Sequence, residues 1–274
     1  MKLLTALCAS FLFAFMAHAA ETGQVKAVAR VILSEPVLPS PAAVRDRVQM
    51  LIGQNWPITG VETDGKQALA LRVAEGVVLI TLVQEPTPQG ELAQMCRRAR
   101  NWKTACEAVA SHKAYLVVSV RDTPFDKVGA ALLLTQVVAA LLDDNAIASY
   151  WGDSLQSRAA FLQQSETATR DNLPLTLWLH VRLSSHPQNG LSISTSGLRA
   201  FDLLEIESKD VKAADNQSLY ALVMGTANYV LTKGPVIRDG DAIGEVASQS
   251  IVVRLAPSYW TAGEQVYRVV YPAQ

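Results

Sequence analysis

Half of the 274 residues are hydrophobic, and 24 Lys and Arg against 25 Asp and Glu leave a net charge of −1. Such a composition excludes disorder over most of the length, and the near-neutral balance leaves no field to attract nucleic acid or anionic lipid. The length allows one sizeable core or two closely packed halves.

The chain opens with Lys2, an apolar run Leu3–Met16 and the small-x-small triplet Ala17-His18-Ala19, the three parts of a secretory leader. Residues 1–20 are expected to be cut off after Ala19 or Ala20, in preference to acting as an uncleaved anchor, because the apolar run is short. Loss of Lys2 leaves 23 basic against 25 acidic residues, a net charge of −2 for a chain starting near Glu21. Cys8 follows Thr5-Ala6-Leu7, which is not a lipid-attachment pattern. No later stretch reads as a membrane span, so the product is expected in the periplasm or outside the cell.

Ala27–Leu33 reads as a first strand, ended by Pro36 and Pro39. Ser40-Pro41 starts a helix with Ser as N-cap and Pro at the first position, and Val44, Val48, Leu51 and Ile52 share one face. Ile58–Thr63, Ala68–Val73 and Val77–Val83 form a meander with turns at Asp64-Gly65 and Glu75-Gly76. Glu91–Ala110 is helical in composition and holds Cys96 and Cys106. On one straight helix the two would lie about 15 Å apart, beyond disulfide reach, so Asn101-Trp102 must break the helix if they are to meet. An oxidising compartment then predicts a Cys96–Cys106 bond, the alternative being two free, buried thiols. The cluster Arg97, Arg98, Arg100 and Lys103 reads as a solvated helix face rather than an anion site.

Ala114–Val120 is an almost unbroken aliphatic run, suited to a strand covered on both faces. The segment from about Asp126 to Leu142 leaves almost no polar stripe and reads as a buried central helix, too short to span a bilayer. Ser154–Thr167 reads as a further helix, started by Asp153 or Ser154. Leu175–Leu183 alternates like a strand, His186 to Gly190 turns, and Leu191–Thr195 returns. Leu203–Ser208 is another strand. Asp215 or Asn216 caps a last helix that Gly234-Pro235 ends, and Ile251–Leu255 and Val266–Tyr271 close the chain. This order predicts an α+β fold: mixed, largely antiparallel sheets in two related β-rich halves packed around the buried central helix. Residues 21–274 then form a single domain, or two pseudo-related halves of about 21–150 and 151–274.

Several motifs carry a resemblance. Leu173-Pro174-Leu175 with Trp178, Thr195-Ser196-Gly197-Leu198-Arg199-Ala200-Phe201 and Asp239-Gly240-Asp241-Ala242-Ile243-Gly244 resemble the bacterial family catalogued as domain of unknown function 4261. His112 to Val118 and Tyr150-Trp151-Gly152 are similar to it too, so the resemblance extends over most of the mature chain. It implies no activity, cofactor or site residue. The leader and the paired cysteines depart from the family's usual pattern and argue against a cytoplasmic role.

Gly152-Asp153-Ser154-Leu155 spells the signature of the GDSL hydrolases, which need a serine on a tight turn with a His base and a carboxylate converging on it. Those enzymes place the serine near the mature N-terminus and an Asp-x-x-His pair near the C-terminus, and neither holds here. His112, His180 and His186 have no metal-ligand spacing, and the Asp239-Gly240-Asp241 stretch reads as a turn, not a calcium loop. No metal and no cofactor are expected. Trp102, Trp151 and Trp178 read as core before pocket. Arg199 beside Gly197 is expected to pair with Asp239 or Asp241 at a loop junction. Trp151, Arg199, Asp239 and Asp241 are therefore the candidate binding residues. Two functions follow: a non-catalytic periplasmic binding or interaction protein with a protein partner in the envelope, an immunity-type partner being one version, or a GDSL-like esterase with Ser154 as nucleophile and His180 or His112 as base.

Overall fold

The computed structural model describes residues 25–53, 56–99, 102–212, 214–246 and 248–272. The expected leader, residues 1–20, lies outside the described residues. The fold is α+β with two mostly antiparallel sheets, one in each of two compact units. One unit takes the described residues up to Trp151 together with Leu155–Thr169; the other takes Gly152–Ser154 and the described residues from Arg170 onward.

The first unit is built on β1 (Val25–Leu33), β2 (Ile58–Thr63), β3 (Ala68–Val73), β4 (Gly76–Val83), β5 (Ala114–Arg121), β6 (Ala146–Trp151) and β7 (Ser154–Ser157). Their order is β2-β3-β4-β5-β1-β6-β7. Strand β1 pairs antiparallel with both β5 and β6. Val31, Ile32 and Leu33 in succession are buried, so this strand is covered on both faces. Over one face lies α4 (Lys127–Leu141), started by Asp126, whose side chain accepts from the Gly129 N–H. It packs on β1, β5 and α1 (Pro41–Ile52), the helix begun by Ser40 as expected. Leu133, Leu134, Val137, Val138 and Leu141 of α4 are all buried.

Over the other face lie α2 (Gln89–Arg97) and α3 (Ala105–Val109). Met95, Cys96, Ala99, Ala105 and Val109 join Ile32, Ala148 and Leu155 in one cluster there. Arg30 of β1 secures α2 through an ion pair with Glu91 at 2.6 Å, its guanidinium 5.1 Å from the centre of the Tyr115 ring.

Strand β6 was not foreseen in Ala146–Trp151, where Ala and Ser dilute the β-branched signal. The expected helix at Ser154–Thr167 is corrected in its first turn. Ser154–Ser157 is β7, and α5 (Arg158–Ser165) starts one step later, with the Ser157 hydroxyl accepting from the Ala160 N–H.

The second unit has six strands: β8 (His180–His186), β9 (Gly190–Ser196), β10 (Glu205–Val211), β11 (Ala242–Val246), β12 (Gln249–Pro257) and β13 (Gln265–Val270), in the order β11-β12-β13-β10-β9-β8. Strands β10 and β13 run parallel; the other pairings of this sheet are antiparallel. The parallel pair needs a long crossover, which α7 (Asn216–Lys233), β11 and β12 provide. Helix α7 is started by Asp215, and the Ser218 N–H that donates to its carboxylate holds that group below the usual range. Leu219, Val223, Ala227 and Val230 line its buried face. The expected strand at Leu175–Leu183 is corrected: α6 (Leu175–Trp178) is a helical turn, and β8 begins only at His180. Leu177, Trp178 and Leu179 are buried in succession, which alternation along a half-covered strand does not produce.

Truncating Leu134, fully buried in α4, removes contacts on a face that has no slack. Leu134→Ala is expected to lower stability by about 3 kcal/mol, read as a shifted midpoint in urea denaturation.

Candidate functional site

The letters of the hydrolase signature form a hairpin. Gly152 and Asp153 have φ of 55° and 65° and connect β6 to β7 by two residues, the positive-φ pair that a type I′ turn requires. A Cβ on Gly152 would stand 1.9 Å from the Trp178 carbonyl oxygen, and one on Gly197 2.5 Å from the same atom. Asp153 accepts from the Ser196 hydroxyl at 2.7 Å. The recurring Gly152, Trp178 and Ser196-Gly197 are therefore one close backbone approach. Ser154 is buried in β7, not on the strand-to-helix elbow where a serine nucleophile stands exposed.

The two histidines named as bases take different places. His112 is buried, and its Nε2 accepts from the Thr87 N–H at 2.8 Å. The proton is then on Nδ1, which donates to the Val109 carbonyl at 2.7 Å. Both ring nitrogens are spent on tying the end of α3 to the segment before α2. His180 is half-buried at the start of β8, opposite Ser196 in the ladder. Trp151 is buried as the last residue of β6.

The expected ion pair of Arg199 is corrected. Its Nη2 lies 3.0 Å from Glu264 Oε2 and donates to the Gln265 carbonyl at 2.7 Å. Parallel pairing sets Glu205 beside Val266, so the turn before β10 comes up against the start of β13. Asp239 instead meets Arg254 at 3.2 Å and accepts from the Leu255 N–H, while Asp241 accepts from the Arg238 N–H. Both are turn residues anchored to β12 or to their own turn. Among the described residues, no group of three or more His, Cys, Asp or Glu is arranged to hold a metal ion.

Two buried carboxylates organise this sheet. Glu205 takes the N–H groups of Gly197 and Arg199 on Oε1, at 2.9 and 3.1 Å, and the Thr195 hydroxyl on Oε2 at 2.6 Å. Thr195 in turn accepts from the Ile206 N–H. Glu207 takes the Ser258 hydroxyl at 2.5 Å and the Tyr259 N–H at 2.8 Å. The Ser258 oxygen also accepts from the N–H groups of Trp260 and Thr261. The loop between β12 and β13 is thus pinned from below while Tyr259 and Trp260 stand exposed on it, edge to face at 5.7 Å. The Arg268 guanidinium stacks 4.0 Å from the Tyr259 ring centre, with the Lys209 ammonium at 5.5 Å. Neither ring was singled out from the sequence. The available signal was two large aromatics in Pro257-Ser258-Tyr259-Trp260-Thr261-Ala262-Gly263, a turn whose other residues are small or polar.

Residues 194–270 match the family model described as Domain of unknown function (DUF4261). This chain resembles that family. The match takes in the end of β9, the Arg199 turn, both buried carboxylates and the Tyr259–Trp260 loop; the DUF4261-like stretches at His112, Tyr150 and Leu173 lie outside it. No curated protein and no solved structure matches the chain.

Cys96 and Cys106 are free thiols, Cys96 buried and Cys106 exposed, in hydrogen-bond contact with each other. The break between α2 and α3 is what brings them together. Burial first, and then the contact with Cys106, push the Cys96 thiol up to about 11. An unfolded cysteine ionises near 8.5, so the folded chain keeps this proton longer. The associated stability is complete below about pH 8.5 and is lost as pH rises through about 11. Under reducing conditions, Cys96→Ala should flatten the fall of the urea midpoint in that window relative to the parent chain. A second expectation concerns the close approach at Trp178: Gly152→Ala should cost about 3 kcal/mol, from a positive φ and an overpacked backbone contact together, read by the same denaturation.

Proposed function

We propose that this is a non-catalytic binding or interaction protein of the bacterial envelope, exported by its leader and working in the periplasm or outside the cell, with a protein as partner. The observation that carries this reading is the Tyr259–Trp260 loop. Exposed aromatics normally lose side-chain freedom on binding; here a buried carboxylate and a stacked arginine have already fixed their support. Tyr, Trp and Arg are also the residues that concentrate binding energy at protein interfaces. The near-neutral net charge supports a protein rather than a nucleic acid as the occupant. An immunity-type role, blocking a toxin in the envelope, is one concrete form of this function. The oxidising compartment also favours a Cys96–Cys106 bond in the exported chain.

The test uses the mature chain as bait in periplasmic extract, beside a Tyr259→Ala/Trp260→Ala double variant. The parent is expected to retain a protein whose affinity falls in the variant by about 2–4 kcal/mol, with the melting temperature nearly unchanged because both rings are exposed. Equal retention by the two baits refutes the loop as the binding surface. Turnover of short-chain esters that Ser154→Ala abolishes refutes the non-catalytic reading itself.

A further inference from the structure

The cysteine pair is asymmetric in a way that assigns each thiol a different job. Cys96 sits on the inner side of α2 within the cluster formed by Met95, Ala99, Ala105 and Val109, and it is buried. Cys106, in α3, is exposed. Between them Ala99 donates to the Cys96 carbonyl, Trp102 to that of Ala99 and Ala105 to that of Trp102. One thiol of the pair is therefore open to solvent and the other packs in the cluster against the sheet.

We propose that Cys106 is the entry point for an external disulfide, and that Cys96 then displaces the incoming group to close a Cys96–Cys106 bond between α2 and α3. The oxidant is any small or protein disulfide that can reach the surface of α3. In the first step the Cys106 thiolate attacks one sulfur of that disulfide; a protein–oxidant disulfide forms, and one thiolate leaves. In the second step Cys96, as thiolate, attacks the Cys106 sulfur; the protein disulfide forms, and the second thiolate of the oxidant departs. The protein loses two electrons and two thiol protons, and the external disulfide is reduced to two thiols. Cys96 is the poorer first target because it is buried while Cys106 is exposed. It is well placed for the second step, since its thiol lies within hydrogen-bonding range of Cys106. This assignment stands independently of the partner-binding role.

The experiment uses the full mature chain, or the full-length chain with Cys8→Ser, reduced and then mixed with oxidised glutathione at mildly alkaline pH. Samples are quenched in acid and read by intact mass and peptide mapping. The expected course is a single glutathione adduct on Cys106, followed by its loss to a chain two hydrogens lighter than the reduced protein. In Cys96→Ala the adduct on Cys106 should persist. In Cys106→Ser the rate of adduct formation should fall at least tenfold. Near-UV circular dichroism checks that both variants keep their packing, and Cys96→Ser and Cys106→Ala serve as second substitutions should either fail. A first adduct on Cys96, a Cys106→Ser chain that reacts as fast as the parent, or a parent adduct as long-lived as that of Cys96→Ala would each overturn the assignment.

Discussion

Two carboxylates taken out of water set the terms for the second unit. A buried carboxylate is costly unless its oxygens receive donors, and Glu205 and Glu207 stand two residues apart on β10 with that requirement. Glu205 is satisfied only if the chain after β9 turns so that the Gly197 and Arg199 N–H groups point at it. Glu207 is satisfied only if the β12–β13 loop folds back to offer Ser258 and the Tyr259 N–H. Each acid thus dictates a loop. The first positions Arg199 against Glu264 and Gln265, and the second displays Tyr259 and Trp260. The family match spans both acids and both loops, so what resembles the family includes a pair of internal carboxylates together with the surface they support.

The first unit obeys a different constraint, the covering of a central strand on both faces. Helix α4 is apolar around its circumference and takes one face. The other is covered by two short helices that carry polar outer surfaces and cannot run straight, because the patch formed by Ile32, Ala148 and Leu155 must be met by residues from both. The same bend puts Cys96 against Cys106. The thiol pair is therefore a consequence of how the sheet is covered, with the redox chemistry following from which of the two cysteines faces the core.

Much of this architecture was legible in the residues. Ser40-Pro41, Asp126 and Asp215 mark helix starts by local chemistry, in which a side-chain oxygen reaches the N–H three residues on. The meander β2-β3-β4 is legible because short Gly turns separate alternating apolar runs. The segments misread are those where packing overrides pattern: Ala146–Trp151, whose small residues hide a strand that β1 recruits, and Leu175–Trp178, where three buried residues in succession belong to a helical turn and its exit. The hydrolase letters form a hairpin turn. A four-residue string records a turn, while catalysis depends on which side chains converge on it.

The sequence by itself determined the α+β class, the helix caps, the largely buried α4 and the likeness to DUF4261, because each is written in residues that are near neighbours along the chain. Only the tertiary structure decided which groups meet across long separations. It gave Arg199 to Glu264 and Asp239 to Arg254, and it placed the Tyr259 loop over Glu207, 52 residues away. It also made Cys96 inner and Cys106 outer. The physical reason is that a parallel β10–β13 pair, closed by a long crossover, sets neighbours by ladder register, and register is fixed by burial of the whole sheet rather than by any local run of residues.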